Sequence, residues 1–431
     1  MTERGRARPG RADDRFIVVL NGDSLPAEVG EAITTAGGAL ETTLDGMGIA
    51  IVRSLDPAFA ERLAHHPMVA GVAPNVSSQQ AFPPTVLDPG PDAIRNPGGP
   101  SEEPLSGYQW NLRSINVEGA WARGLTGKGV RVAVLDTGID PDNPDVSPNV
   151  DFARSASFFE NEPSPIDYGG HGAHIAGIIA AARNGYGVVG IAPEAKVFGV
   201  KIGSRNLFFG GGLAAPVLQG MKYAVDQGAD ILNMSLGFFT DNPALVLAFE
   251  RAVDYAERNG AIVVASAGNE SINLDTLPPG FHIVPAEIEE VITVSAVGPL
   301  NQQNFDTFAT YSNGGSIVDV AAPGGNLSSS VGILDKRDLV LSSFTTHGIS
   351  FFDGPENFHA ATHAYWVGTS FATPHVVGAV ALILEAHPKL TPAQARAALL
   401  NSADDLGPPG RDIFFGMGRI NVGRAVQSYG Q

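Results

Sequence analysis

The sequence predicts an α/β protein: a mostly parallel sheet flanked by helices, preceded by a small α+β domain of ferredoxin-like order. Three observations lead to this prediction. Beyond about residue 108, continuous apolar runs of strand length alternate with helical patterns, which is typical of parallel strands covered on both faces. A shorter alternation occupies residues 15–76, and a stretch rich in proline and glycine separates the two regions.

The lead region, residues 15–76, has the pattern order strand, helix, strand, strand, helix, strand. These elements are predicted at residues 15–21, 26–36, 39–44, 48–53, 56–66 and 68–74. This is the order of a split βαβ, ferredoxin-like unit. Residues 1–14 form a polar extension before it. Residues 77–107 contain seven prolines among glycines and serines, which predicts an exposed linker.

The region 108–431 carries the predicted parallel sheet. Its apolar strand patterns lie at residues 130–136, 195–202, 229–236, 261–268 and 291–297. Helical patterns between them include residues 215–225 and 245–260. In open sheets of this kind, ligands bind beyond the carboxyl ends of the strands, so functional residues are expected there.

Composition excludes several classes of function. The 431 residues contain 27 Lys and Arg against 45 Asp and Glu, a net charge of −18, which disfavours nucleic acid or an anionic membrane as partner. Cysteine is absent, so disulfides and thiolate chemistry are excluded. The most apolar helical segment, near residues 376–384, is short and is expected to be a buried core helix rather than a membrane span.

Three segments, in the order Asp, His, Ser, each place a catalytic residue type in a suitable setting. They are VAVLDTGID around Asp136, GGHGAHIAG around His171 and GTSFATPHV around Ser370. A serine hydroxyl is a weak nucleophile, so it needs a histidine to take its proton and a carboxylate to orient that histidine. Ser370 precedes a helical pattern, and the N–H groups at a helix N-terminus favour a nucleophile there.

A fourth segment, GAIVVASAGNE, brings Asn269 to the end of an apolar strand. Its side-chain amide could donate to the oxyanion of a tetrahedral intermediate, beside the backbone N–H of Ser370. Each residue also has a purely structural alternative, since Ser favours helix N-caps and Asn favours left-handed turns. The four segments together point to a serine peptidase.

These segments resemble the subtilisin family of serine peptidases. The likeness extends from Tyr108 to about Val426, and residues 15–76 resemble the family's inhibitory propeptide. Residue by residue, the resemblance implies a catalytic triad of Asp136, His171 and Ser370, with Asn269 as the oxyanion-hole amide. The chain departs from the family pattern at two positions: Ala173 stands where Thr is usual, and Phe371 stands where Met usually follows the nucleophile.

Other enzyme classes fit the sequence less well. The Asp-Thr-Gly at Asp136 is also the fingerprint of aspartic proteases, but the chain has no second such triplet. His171 and His174 have a spacing compatible with metal binding, yet the Glu of the HExxH motif is missing. A related acid-acting family replaces the His by Glu and the oxyanion Asn by Asp, and His171 and Asn269 argue against it.

The resemblance also implies a structural calcium ion. Oxygen ligands from carboxylate, amide and carbonyl groups suit this hard cation. The matching positions are the side chains of Gln109, Asp145 and Asn184 and the carbonyl groups of Ala182, Tyr186 and Val188. An ordinary turn at residues 184–185 is the alternative.

Substrate contacts are implied in the same way, because an extended peptide can add as a strand between two exposed edges. The expected substrate-binding residues are Gly210, Gly211, Gly212, Ser235, Leu236, Gly237, Ala267 and Gly268. If Ile283 points inward, it shortens the main specificity pocket. Residues 325–367 form a longer segment than the family commonly has and carry three histidines, His347, His359 and His363, which we interpret as a surface insertion rather than a second metal site.

These observations predict a calcium-stabilised serine endopeptidase that forms an acyl-enzyme and matures by cutting its own propeptide. Expected partners are polypeptide substrates and the propeptide as intramolecular inhibitor, and a monomer is expected. A non-catalytic binding module that keeps its lead domain is the alternative from another class. The family resemblance favours secretion, but the polar start MTERGRARPGRADDR lacks a signal-peptide pattern, so an intracellular processing peptidase remains a third interpretation.

Overall fold

The structure is a computed structural model that describes residues 14–78, 101–203, 213–327, 336–347 and 362–428. Its strands are β1 (Arg15–Leu20), β2 (Ala39–Leu44), β3 (Ile49–Arg53), β4 (Val69–Pro74), β5 (Arg131–Asp136), β6 (Ala156–Ser157), β7 (Lys196–Lys201), β8 (Ile231–Met234), β9 (Phe238–Thr240), β10 (Ile262–Ser266), β11 (His282–Val284), β12 (Ile292–Val297), β13 (Val320–Pro323), β14 (Val340–Ser343) and β15 (His363–Trp366). Its helices are α1 (Ala27–Thr35), α2 (Phe59–Ala64), α3 (Trp110–Ser114), α4 (Glu118–Trp121), α5 (His171–Ala180), α6 (Ala214–Asp226), α7 (Pro243–Arg258), α8 (Thr369–Ala386), α9 (Pro392–Asn401) and α10 (Val422–Ala425).

The main sheet has seven parallel strands in the order β13-β12-β10-β8-β5-β7-β6. Alternate residues of its central strand point to opposite faces. Val132 and Val134 join the hydrophobic core that includes α5 and α8, whereas Ala133 and Leu135 join the core that includes α6 and α7. The sheet is therefore buried on both faces, as the continuous apolar strand patterns predict, and the α/β fold is confirmed.

The lead region forms an antiparallel sheet of order β2-β3-β1-β4, the ferredoxin-like arrangement that the sequence predicts. Phe16 and Val18 pack with α1 and α2 in a small separate core, whereas Ile17 and Val19 belong to the core shared with α6 and α7. The lead sheet thus packs its second face directly against the region that follows it. Gly71 of β4 has no room for a side chain, because a Cβ there would lie 2.6 Å from Ala244 Cβ in α7.

Several elements differ from the sequence prediction. Strands β6 and β13 were not predicted, since they have two and four residues and show no long apolar run. Helix α8 begins at Thr369, so Ser370 lies inside its first turn rather than before it. Helix α8 is also apolar and long enough to cross a membrane, but most of it is buried inside the protein, which identifies it as a core helix.

Strands β14 and β15 form an antiparallel hairpin within the longer segment 325–367. The hairpin packs on α5 through two hydroxyl groups: Ser342 donates to the carbonyl of His174 and Ser343 to the carbonyl of Ala173, both at 2.8 Å. His359 lies outside the described residues. The described part of this segment is therefore integrated into the core rather than lying only on the surface.

Candidate active site

Asp136 is the last residue of β5, so its side chain lies at the carboxyl end of the sheet. Its buried Oδ1 accepts hydrogen bonds from the backbone N–H of Thr137 at 2.7 Å and from the Thr137 hydroxyl at 3.1 Å. His171 Nδ1 lies 2.8 Å from the same oxygen. Three partners on one oxygen hold the carboxylate in a single orientation.

His171 is the first residue of helix α5 and follows Gly170, whose φ of 87° makes the turn into the helix. Because Nδ1 donates its proton to Asp136, the second ring nitrogen, Nε2, is left as the basic atom. Nε2 is buried, and none of the described residues forms a hydrogen bond with it. The histidine is thus oriented by one nitrogen and free to accept a proton at the other.

Ser370 lies in the first turn of α8, after Gly368, which has φ 147° and ψ 158°. Ser370 Oγ donates to the carbonyl of Ser235 at 3.3 Å, and the hydroxyl of Ser235 donates to the Ser370 carbonyl at 2.7 Å. The ring of the next residue, Phe371, is centred 5.2 Å from the ring of His171. The histidine therefore lies against the helical turn that carries the serine.

Asn269 follows strand β10 after Gly268, which has φ 102°. Its side-chain Oδ1 accepts hydrogen bonds from the backbone N–H of Thr369 at 2.8 Å and from the Thr369 hydroxyl at 2.9 Å. Since these bonds hold the carbonyl oxygen of the amide, its NH₂ group is the part available to a substrate oxyanion. The structure thus brings Asn269 to the start of the helix that carries Ser370.

Aromatic side chains surround the buried face of the histidine. The rings of Trp366 and Phe371 lie 5.4 and 5.2 Å from that of His171, and Phe371 also lies 4.6 Å from the ring of His174. Burial lowers the pKa of His174 from 6.5 to about 3, so this histidine stays neutral. His174 Nε2 is 3.0 Å from the carbonyl of Ala364, which supports a structural role.

The expected substrate-binding segments lie at the ends of two adjacent strands. Residues 235–237 follow β8 and residues 267–268 follow β10, and these strands pair in the sheet. Ile283 is buried, and a Cβ on Gly237 would lie 3.4 Å from its side chain. Gly210, Gly211 and Gly212 lie outside the described residues, so the second expected edge is not described.

Two of the expected calcium ligands are committed to hydrogen bonds within the protein. Gln109 Oε1 accepts from the backbone N–H of Val189, and Gln109 Nε2 donates to the Val189 carbonyl, both at 2.9 Å. Asn184 Oδ1 accepts from the backbone N–H of Tyr186 at 3.0 Å. Both side-chain oxygens therefore already have a donor.

Asp145, the expected charged ligand, is fully buried. Its Oδ2 accepts from His363 Nε2 and from the backbone N–H of Val188, while its main-chain carbonyl accepts from Ala182 N–H at 2.7 Å. Only Oδ1 lacks a hydrogen-bond partner among the described residues. Calcium takes six to eight oxygen ligands, whereas among the described residues the three expected side chains offer one oxygen without a protein donor, so these side chains alone fit this ion poorly.

A different acidic cluster comes close enough to hold a metal ion. One ligand atom each from Asp140, Asp142 and His347 lies within 4.8 Å of the others. His347 Nε2 is 2.8 Å from Asp142 Oδ2, whereas both oxygens of Asp140 accept hydrogen bonds from protein groups. Most of the possible ligand atoms in this cluster thus already form hydrogen bonds with protein groups.

Three contributors to the site were not predicted from the sequence. Thr137 supports Asp136, Thr369 orients Asn269, and Trp366 packs against His171. Thr137 and Thr369 are each adjacent to a motif residue, so their hydroxyl groups were the available signal. Trp366 is distant from His171 in sequence and contacts it only in the folded chain, so no local sequence pattern indicates this contact.

Comparison with known proteins gives the family. The model of the subtilase family matches residues 127–418. Subtilisin E of Bacillus subtilis (strain 168) is 35% identical over 319 residues, covering 74% of this chain and 71% of that protein. The minor extracellular protease Epr of the same organism is 36% identical over 312 residues, covering 72% of this chain and 41% of that protein.

A solved structure is similar over almost the whole chain. The crystal structure of fervidolysin from Fervidobacterium pennivorans, described as a keratinolytic enzyme related to subtilisin, superposes with a TM-score of 0.76 at 28% sequence identity. The match covers 98% of this chain and 62% of that one. The family match covers more than half of the sequence and includes all three motifs, and we conclude that this chain belongs to the subtilase family and is a subtilisin-like serine peptidase.

Proposed function

We propose that Asp136, His171 and Ser370 are the catalytic triad of a serine endopeptidase and that Asn269 completes its oxyanion hole. The observation that supports this most directly is the orientation of His171. Its Nδ1 is bonded to Asp136 at 2.8 Å, and its Nε2 is left without a partner among the described residues. A general base must be fixed in one tautomer and open at the other nitrogen.

In the proposed reaction, Ser370 Oγ attacks the carbonyl carbon of the scissile bond while its proton passes to His171 Nε2. Asp136 stabilises the imidazolium that forms. The negative oxygen accepts hydrogen bonds from the Asn269 NH₂ group and the Ser370 backbone N–H. The imidazolium then protonates the leaving amine, the C–N bond breaks, and an acyl-enzyme remains. A water molecule, deprotonated by the same histidine, hydrolyses it.

The substrate class is extended polypeptide. Residues 235–237 and 267–268 leave neighbouring strands at the same end of the sheet, where a peptide can form main-chain hydrogen bonds with them. The hydroxyl of Ser235 is bonded to the carbonyl of Ser370 at 2.7 Å, which ties one of these segments to the nucleophile. Burial of Ile283 beneath Gly237 supports a shortened specificity pocket.

We also propose that residues 15–76 are an inhibitory propeptide and that the chain cuts itself within residues 77–107. The lead region packs on α6 and α7. Its last residues reach the start of α6: the N–H of Ala214 donates to the carbonyl of Val76 at 3.0 Å, and that of Ala215 donates to Asn75 Oδ1 at 2.8 Å. The lead region thus supplies acceptors for the free N–H groups of the first turn of that helix.

Electrostatic contacts add to this docking. Arg53 Nη2 of β3 is 2.5 Å from Glu160 Oε1, an exposed residue beyond the linker. Arg251 Nη1 of α7 approaches the carbonyl groups of Met47 and Gly48, each at 3.4 Å. Surface ion pairs contribute little free energy. Most of the docking free energy therefore comes from the shared apolar core, and the polar contacts orient the lead region on it.

The expected compartment is extracellular. It rests on the family membership and on the name of the relative Epr, an extracellular protease. Assay of peptidase activity in culture medium and in washed, lysed cells tests this assignment, because activity confined to the lysate would contradict it.

Replacement of Ser370 by Ala tests both the chemistry and the maturation. We expect S370A to accumulate as the full-length chain and to leave a denatured protein substrate intact. Ser428→Ala, at an exposed serine near the C-terminal end, is the matched control and should process normally. If purified S370A still lost its lead region, or still cut the substrate, the assignment of the nucleophile would be wrong. A wild-type chain that never cuts any polypeptide would instead support a binding module.

A further inference from the structure

Asp145, expected from the resemblance to be a calcium ligand, contacts a side chain from the inserted hairpin. His363, the first residue of β15, directs Nε2 to Asp145 Oδ2 within hydrogen-bond contact, although the two residues are 218 positions apart. Both side chains are buried, with Asp145 fully inaccessible and His363 5% exposed. A buried carboxylate requires a partner of this kind, because an unpaired charge is costly away from water.

The surroundings hold the imidazole in position. His363 Nδ1 lies 2.9 Å from the hydroxyl of Thr362, which lies 3.0 Å from the hydroxyl of Tyr186. The ring of Tyr186 is centred 5.7 Å from that of His363. Gly187 leaves the required space, since a Cβ there would collide with His363 Nε2 and with the Asp145 carboxylate. Both ring nitrogens of His363 therefore have defined partners.

Asp145 connects the histidine to the loop that follows α5. Its Oδ2 accepts from Val188 N–H at 3.2 Å, and its carbonyl oxygen accepts from Ala182 N–H at 2.7 Å. The same loop is held by Gln109, which makes both of its hydrogen bonds with Val189. Protein groups thus join three distant segments, the start of the peptidase region, the loop and β15, at one point.

We propose that the His363–Asp145 contact takes the place of a bound cation and holds the loop after α5 without calcium at these residues. An imidazole N–H satisfies Asp145 Oδ2 directly. Calcium at these residues would have to share Gln109 Oε1 and Asn184 Oδ1 with the backbone N–H groups that they accept from, and among the described residues it would find only Asp145 Oδ1 without a donor in these three side chains. The inference concerns how the folded chain is held together, and it does not depend on the proposed catalytic roles.

The test uses the full-length chain with Ser370→Ala, so that self-cleavage does not interfere. The thermal midpoint is measured in EDTA and in millimolar calcium, and calcium bound after gel filtration is measured by elemental analysis. We expect the two midpoints to agree within about 1 °C, because a ligand stabilises a protein only by binding its folded state. We expect His363→Ala to lower the midpoint by on the order of 5 °C in both buffers, since it leaves Asp145 buried without its partner.

Two Asp→Asn variants separate this site from the acidic cluster. If calcium is bound and stabilising, and Asp145→Asn removes it while the exposed Asp142→Asn does not, the proposal is overturned. If instead Asp142→Asn removes the calcium, the ion belongs to the other cluster and the proposal stands. An unchanged midpoint in His363→Ala would also overturn it. His282→Ala, at a half-buried histidine bonded to Glu287, is the control and should change the midpoint little.

Should His363→Ala not fold, the unmutated S370A chain still decides the question. Calcium dependence that Asp145→Asn abolishes contradicts the proposal, and equal midpoints with no calcium retained at Asp145 support it.

Discussion

Asn269 and Thr369 form a two-point contact in which one amide oxygen accepts from both the N–H and the hydroxyl of the threonine, at 2.8 and 2.9 Å. The contact places the amide at the first turn of the helix that carries Ser370. It also sets which end of the amide faces the cleft, because the oxygen is held by Thr369 and the described residues hold only that end. The orientation of the proposed oxyanion donor therefore depends on a neighbour of the nucleophile.

Asn269→Ala is expected to lower kcat with little change in KM, because the lost hydrogen bond forms mainly in the transition state. In subtilisin the corresponding loss costs on the order of 10²–10³ in kcat, and that known value sets the magnitude here. Steady-state kinetics on a peptide amide measures it. Thr369→Ser, which keeps the hydroxyl, is the control and should retain most activity. An increase confined to KM would contradict an oxyanion role for Asn269.

Phe371 is expected to protect the enzyme against peroxide. It is buried between His171 and His174, where a methionine could be oxidised to a polar, bulkier sulfoxide that disrupts packing. The methionines Met221 and Met234 are buried, so their sulfur atoms are shielded from peroxide. We expect Phe371→Met to lose activity under peroxide doses that the unmodified enzyme tolerates. Residual activity after timed exposure is the measurement, and equal loss in both proteins would show that residue 371 does not control inactivation.

Asn75 is expected to strengthen inhibition by the lead region, because it accepts the N–H of Ala215 at the start of α6. Loss of a helix cap costs about 1 kcal/mol, or about fivefold in affinity. Asn75→Ala should therefore shorten the lag before activity appears after processing, as followed by continuous hydrolysis of a peptide substrate. Asn21→Ala removes a hydrogen bond to Pro67 within the lead region and should leave the lag unchanged. Equal lags in the two variants would contradict this role of Asn75.

His375 is expected to make the fold sensitive to acid. Its Nδ1 lies 2.7 Å from the carbonyl of Phe371, its Nε2 lies 2.7 Å from Asn111 Nδ2, and burial lowers its pKa from 6.5 to about 4. At a pH between these two pKa values, His375 is protonated in the unfolded chain and neutral in the folded chain. This histidine therefore reduces stability as pH falls below about 6.5, and its effect is flat above that pH.

His375→Gln should remove this contribution. We expect the free energy of unfolding of the S370A chain to fall less steeply with acidification in the variant, by up to about 1.4 kcal/mol per pH unit. Urea titrations between pH 4.5 and 7 measure both slopes. The variant is expected to be less stable at every pH, so only the difference in slope tests the idea, and parallel profiles would refute it.

The parts of the fold and site that the sequence predicts are those encoded locally. The strand that ends at Asp136 is a continuous apolar run, and His171 and Ser370 lie in short motifs at the starts of helices. The family resemblance then relates these motifs to one another. Strand β13 is not predicted, because its four residues, which end in proline, are too few to show a strand periodicity.

Contacts between segments that are distant in the sequence cannot be predicted from local sequence patterns. The family resemblance implies a calcium site at Gln109, Asp145 and Asn184, but the side chain bonded to Asp145 is His363, 218 residues away. No local periodicity relates a carboxylate after β5 to a histidine after an insertion. The same holds for Trp366, which contacts His171 only because β14 and β15 pack on α5.

The pairing of Val340–Ser343 with His363–Trp366 holds the two ends of the intervening chain side by side. Because this ladder and its contacts with α5 hold the second strand, which ends four residues before Ser370, the number of residues between the strands is uncoupled from the position of the nucleophile. The hairpin is therefore a natural grafting point. Foreign sequence added between β14 and β15 would lengthen their connection and leave unchanged the pairing that holds β15 ahead of Ser370.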